Sequence, residues 1–223
     1  MSGRLRFLVT AGPTREPVDP VRYLSNRSSG RMGYAIAHAA AEAGYAVTLV
    51  SGPVSLEIPG GVDFVAVETS DDLYEAVAAR IGRADVCIMT AAVADYRPAR
   101  VAAQKIKKGA AGEILTLELE RTRDILGSAR GEMGFGGVLV GFAAETENVA
   151  ANAREKLATK GCDLVCANDV SRRDIGFDSS QNELSLHFAS GETAVLAKEE
   201  KAELGRMLVE YCVDLAAEKA YPD

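Results

Sequence analysis

Short runs of apolar residues recur along the chain, each separated from the next by stretches with helical spacing. Residues 4–10 carry Phe7, Leu8 and Val9 in succession, which suits a strand buried on both faces. Residues 46–50, 64–67, 86–90, 138–142 and 163–167 repeat that character. Between the first two, residues 30–43 have the small-residue pattern of a helix packed tightly on a sheet, closed by Gly44. Ser70 is the expected cap of a helix to residue 81, with Asp71 and Asp72 favourably placed in its first turn. Further helices are expected over residues 148–160 and 198–219. Alternation of strand and helix predicts parallel pairing through right-handed crossovers. The expected fold is therefore α/β, a Rossmann-like, doubly wound, mostly parallel sheet with ligands at the carboxyl ends of its strands.

Two stretches break the alternation. Residues 100–120 hold Lys105-Ile106-Lys107-Lys108 and then a strict alternation over 114–119, which predicts a two-sided β arm or flap. Residues 183–197 predict a C-terminal hairpin turning at Ser190-Gly191. With no repeat, low-complexity tract or linker, residues 1–223 are expected to form a single domain.

Composition narrows the function classes. Hydrophobic residues make up 48% and charged residues 26%, the balance of a globular protein, and the net charge of −7 argues against nucleic acid as a partner. No apolar run is long enough to span a bilayer, and the first residues lack the apolar core of a secretory signal, so a cytoplasmic location without membrane contact is expected. Cys87, Cys162, Cys166 and Cys212 form no Cys-x-x-Cys pair, and only His38 and His187 are present to complete a metal site. Buried, reduced thiols are the simpler reading.

The candidate chemistry lies where strands run into loops. Gly12 allows a turn after the first strand, and Ser28, Ser29, Gly30 and Gly33 surround a helix start. Amides there suit an anion, although a simple capped helix with a tightly packing glycine has the same appearance. The stretch is not a compact dinucleotide fingerprint, and Ser51-Gly52-Pro53 stands where a ribose-binding acid would end the second strand. Ala91, Ala92 and Asp95 follow the fourth strand; small residues admit a ligand near the backbone, and Asp95 suits a cation, a hydroxyl, an amine or a local cap. Lys105 belongs to a basic run in an acidic chain, suited to a phosphate or to solvent. Lys156 and Lys160, four apart, share one helix face. Phe142 ends the fifth strand and Asn168 the sixth.

The segments TAGPTREPVDPVRYLSNRSSGRMG, AAVADYRP, KIKK, GFAAET and AND occur in this order, and together they resemble the phosphopantothenoylcysteine synthetase family over most of the chain. In many bacteria that domain is the C-terminal half of a bifunctional flavoprotein. The resemblance implies a free-standing or excised synthetase with no flavin in this chain. It implies a ligase that joins 4'-phosphopantothenate to L-cysteine through an acyl-nucleotide, in coenzyme A biosynthesis, with CTP as donor and Mg2+ accompanying the nucleotide. By the same resemblance Asn26 and Lys105 are catalytic. Gly12, Arg22, Ser28, Gly30, Gly33, Ala91, Ala92 and Asn168 bind substrate, with Arg22 reaching in from the second subunit of a homodimer with shared active sites. Asp95, Lys105, Arg123, Asp124, Ile125, Leu126, Phe142, Lys156 and Lys160 hold the nucleotide, and Asp95 also its metal. Arg123 replaces a proline common in the family.

Two other classes compete. A nicotinamide-dependent reductase of the short-chain type shares the fold and the Ser29-Gly30-x-x-Gly33 start, yet Tyr96 is followed at the catalytic spacing by Arg100 and Tyr23 by Arg27, where lysine is required. A nucleotide sensor without catalysis has no need of Asn26 and Lys105 together.

Overall fold

The computed structural model describes residues 4–108, 113–169, 171 and 179–220. In chain order, Arg6–Ala11 forms β1, Arg15–Pro17 β2, Tyr23–Ser25 β3 and Arg31–Glu42 α1. Ala46–Ser51 (β4), Val62–Ala66 (β5), Ser70–Ile81 (α2) and Val86–Met89 (β6) follow. Next come Tyr96–Pro98 (β7), Leu119–Arg121 (β8), Ile125–Gly131 (α3), Val138–Glu145 (β9) and Val149–Lys160 (α4). Leu164–Asp169 (β10), Gln181–Phe188 (β11), Thr193–Glu200 (β12) and Lys201–Ala220 (α5) complete the described elements.

Eight strands form one sheet in the order β12-β11-β10-β9-β6-β1-β4-β5. The six strands from β10 to β5 pair in parallel, and β11 and β12 add an antiparallel hairpin. The expected doubly wound sheet is present. Its strand order reverses between β1 and β6, the place where such sheets open a ligand crevice at their carboxyl ends.

Successive side chains of β1 explain the two layers. Phe7 and Val9 join Ile36, Leu204 and Leu208 beneath α1 and α5, whereas Leu8 joins Leu73, Val77, Ile125 and Leu139 beneath α2 and α3. Gly205 lets α5 meet α1 closely: a Cβ there would lie 2.9 Å from the backbone of Ala35. No helix among the described residues is long and apolar enough to cross a membrane.

Several local expectations are corrected. The cap of α2 is Thr69, not Ser70. Its backbone is extended, its hydroxyl accepts from the Asp72 amide at 3.1 Å, and the Asp72 carboxylate accepts in turn from the Thr69 amide at 2.9 Å. The last helix starts at Lys201 because β12 continues through Glu200. The alternation over 114–119 becomes strand only at its end: β8 begins at Leu119 and pairs with β7, so the arm is a ribbon at its base alone. Ile114 is 80% exposed there, with no sheet to bury it. Inside the loop expected before α1 lies the β2–β3 ribbon, and α3 had no periodic signal in its short span.

Candidate active site

The loops after β1 and β6 are knitted together at the switch point. The Thr90 hydroxyl donates to the Thr10 carbonyl at 2.6 Å, and the Ala91 amide to the Thr10 hydroxyl at 3.2 Å. The Ala92 amide donates to the Gly12 carbonyl at 2.9 Å, and the Thr14 amide to the Ala92 carbonyl at 3.2 Å. Asn26, just past β3, donates its side-chain amide to that same Ala92 oxygen at 2.9 Å. Gly12, Asn26, Ala91 and Ala92 are thus neighbours.

The start of α1 joins them. Gly30 is its N-cap with φ +75°, and as a glycine it brings no capping side chain of its own. The Ser28 hydroxyl accepts from the Gly30 amide at 3.3 Å. A Cβ at Gly33 would lie 2.5 Å from the Thr90 hydroxyl oxygen and 2.6 Å from the Ala11 Cβ. Glycine there lets the first turn of α1 rest against β1.

The β2–β3 ribbon carries a second set of contacts. Glu16 is buried, and its carboxylate accepts from the Ser70 amide at the start of α2 at 2.9 Å. Asp19, also buried, accepts from the amides of Val21 and Arg22 at 2.9 Å each and from the Arg22 Nε at 3.0 Å, and forms a close ion pair with the Arg22 Nη2. Asp19 further accepts from the Ile106 amide at 3.1 Å, while Arg22 donates to the Ile106 carbonyl at 3.0 Å. The Arg22 guanidinium holds the Asp19 carboxyl well below the usual range; burial opposes this, and the three amides add to it. Lys105, next to this clamp, is exposed.

The nucleotide-side candidates gather around β9, α3 and α4. Lys156 donates to the Phe142 carbonyl at 2.9 Å, and Lys160 pairs closely with Asp124, the N-cap of α3. Burial alone would raise the Asp124 pKa; the bond from Lys160, the Gly127 amide and the charge of Lys156 together reverse it and leave the group lowered. Ile125 is buried and Leu126 packs against Gly141. Asn168, on β10, is buried beside Ala144 of β9.

The Arg123 guanidinium stacks 4.5 Å above the Tyr74 ring and pairs with Glu75 at 3.1 Å, so it is engaged by α2. Asp95 is exposed, and its carbonyl accepts from the Thr122 amide at 3.0 Å, bringing it to the segment that leads into Asp124. No group of three or more metal-binding side chains occurs among the described residues. A lone carboxylate such as Asp95 fits a cation that arrives with nucleotide phosphates rather than one caged by protein. At the end of β4 the buried Ser51 hydroxyl donates to the Gly52 carbonyl at 2.8 Å, so no ribose-binding acid stands at that strand end.

Sequence reasoning passed over Thr10, Thr14, Glu16, Asp19 and Thr90, which tie these loops together. An Asp-Pro turn followed three residues on by arginine was a usable signal for Asp19.

The chain is similar to known proteins over nearly its whole length. The chain is 49% identical over 216 residues to the coenzyme A biosynthesis bifunctional protein CoaBC of Escherichia coli strain K12, covering 96% of this chain and 53% of that protein. The chain spans about half the length of the curated relatives it matches. A crystal structure of the C-terminal domain of a CoaBC protein superposes with TM-score 0.80 at 42% identity, covering 96% of each chain. A Cab2 mutant in complex with phosphopantothenate-cysteine shares the fold at TM-score 0.79 and 16% identity, covering 97% of this chain and 87% of that one. The model of the DNA/pantothenate metabolism flavoprotein C-terminal domain matches residues 2–215, and the chain belongs to that family.

Proposed function

We propose that this chain is a phosphopantothenate–cysteine ligase of coenzyme A biosynthesis. The observation that carries the reading is the Asn26 amide held against Ala92 beside the open start of α1, within a chain of this family. A substrate phosphate at Gly30 and Gly33 would leave the reacting carboxylate within the same crevice, near an amide able to donate to it.

The reaction has two steps. The carboxylate oxygen of 4'-phosphopantothenate attacks the α-phosphorus of CTP; the bond to the β-phosphate oxygen breaks and pyrophosphate leaves. The amine of L-cysteine then attacks the acyl carbon, loses a proton, and expels CMP. Lys105 stabilises charge on the α-phosphate in the first step, and Asn26 donates to the acyl oxygen in the second. Lys156 and Lys160 hold the nucleotide; to do so they exchange Phe142 and Asp124 for phosphate oxygens. Asp95 would help hold Mg2+ arriving with the nucleotide, and the ion would supply neutralisation of the triphosphate charge.

We assign the working assembly as a homodimer. Val21, Tyr23, Tyr96, Val101, Ile114 and Leu119 are exposed apolar residues on the β2–β3 ribbon and the arm, and they would be covered by a second copy.

The test is pyrophosphate release and mass spectrometry of product with 4'-phosphopantothenate, cysteine and each of CTP, ATP, GTP and UTP. CTP is expected to give the fastest turnover. Equal or faster turnover with ATP would overturn the nucleotide choice, and no amide product with any of the four would overturn the ligase reading.

A further inference from the structure

We infer that Asp19 is a positioning residue for Lys105, acting through the Ile106 backbone and the Arg22 guanidinium in the first half-reaction. The inference rests on the proposed role of Lys105. Lys105 has an exposed, flexible side chain on a segment without regular secondary structure, and such a residue reaches a reacting phosphate reproducibly only if its backbone is held. Three bonds hold it to the β2–β3 ribbon: the Ala102 amide to the Val18 carbonyl at 3.0 Å, the Ile106 amide to Asp19 at 3.1 Å, and Arg22 to the Ile106 carbonyl at 3.0 Å.

Asp19 is the hub. It binds the Ile106 amide directly and orients the guanidinium that binds the Ile106 carbonyl. Its side chain is fully buried, yet among the described residues every group donating to it belongs to the turn that follows it or to the segment carrying Lys105. The ribbon also ends at Ser25, immediately before Asn26, and is anchored at its other end by Glu16 on α2. One ribbon thereby sets the spacing between the two proposed catalytic side chains. This gives Arg22 a task inside its own chain, beside any it has at a subunit interface.

Asp19→Asn keeps the size and one acceptor oxygen but puts an NH2 group where Ile106 or Arg22 must donate. Each half-reaction is measured alone: pyrophosphate release from CTP and 4'-phosphopantothenate without cysteine, and amide formation from cysteine and chemically prepared acyl-cytidylate. A misplacement of about 1 Å typically costs on the order of 100-fold. Asp19→Asn is expected to slow the first step by about that factor and to leave the second near the wild-type rate, which also shows that the variant is folded. An unchanged first step, or equal losses in both steps, would overturn the inference. If Lys105→Gln itself keeps the first step, the reading of Lys105 fails. If Lys105→Gln loses the first step while Asp19→Asn keeps the wild-type first-step rate, only the role of Asp19 fails.

Discussion

The Asn26 side-chain amide lies 2.9 Å from the carbonyl oxygen of Ala92, joining the loop before α1 to the loop after β6 across a sequence separation of 66 residues. The contact fixes an uncharged donor at the switch point of the sheet. An aspartate there would set one acceptor against another and place charge beside the proposed position of the acyl oxygen.

Asn26→Asp is therefore expected to form the acyl-nucleotide and accumulate it, with the second step slowed by about 100- to 1,000-fold. Lys105→Gln is expected to form none. Quenched-flow detection of the intermediate in both variants separates the roles, and the opposite pattern would invert them.

Gly33→Ala probes the packing beneath the proposed phosphate site. The added methyl meets the Thr90 hydroxyl at 2.5 Å and the Thr10 carbonyl at 3.0 Å, so α1 must lift from β1. Overpacking of this kind costs about 1–3 kcal/mol, or roughly 2–4 °C in Tm for each kcal/mol in a domain of this size. Thermal melting should show the loss, and KM for 4'-phosphopantothenate should rise because the first-turn amides move with the helix.

The exposed arm gives the assembly test. Ile114→Asp and Leu119→Asp are expected to shift the protein from dimer to monomer in sedimentation velocity without unfolding it, since both side chains face solvent within one chain. Wild-type protein that sediments as a fully active monomer would refute the dimer.

Acid should weaken the fold in two stages. His187 has its pKa lowered by burial and, less so, by Arg154. The unfolded chain therefore takes up that proton first, and stability falls as pH drops below about 6.5. Asp19, Asp72 and Asp85 are lowered, so their contributions are complete above their unfolded values and disappear as pH falls below about 4. Urea denaturation against pH should show both stages. His187→Gln should remove the first alone, and its persistence would contradict the assignment.

All four cysteines are buried and unpaired. Burial pushes the Cys162 thiol up to about 12 and raises Cys87, Cys166 and Cys212 as well. None should react with a disulfide reagent until the protein is unfolded, when all four should titrate. Rapid labelling of the native protein would show that a thiol is accessible.

The sequence by itself determined the sheet and most of its helices. Phe7, Leu8 and Val9 are apolar on both faces, and only a strand covered by two layers accommodates such a run. Gly12, Gly30 and Gly33 were legible for a similar reason, since a tight turn and a close helix–strand contact restrict the residue type. The cap of α2 was displaced by one residue because Thr69 and Ser70 are both competent, and extended backbone with a reciprocal bond to Asp72 selected Thr69. The resemblance alone groups Arg123 with the nucleotide-binding residues, whereas its stacking on Tyr74 and its ion pair with Glu75 are properties of packing between α2 and the segment before α3. Asp19 was the least legible. Its bonds to Arg22 are local, but its bond to Ile106 spans 87 positions, and no period or propensity in the chain encodes a contact that exists only when two loops are folded against each other.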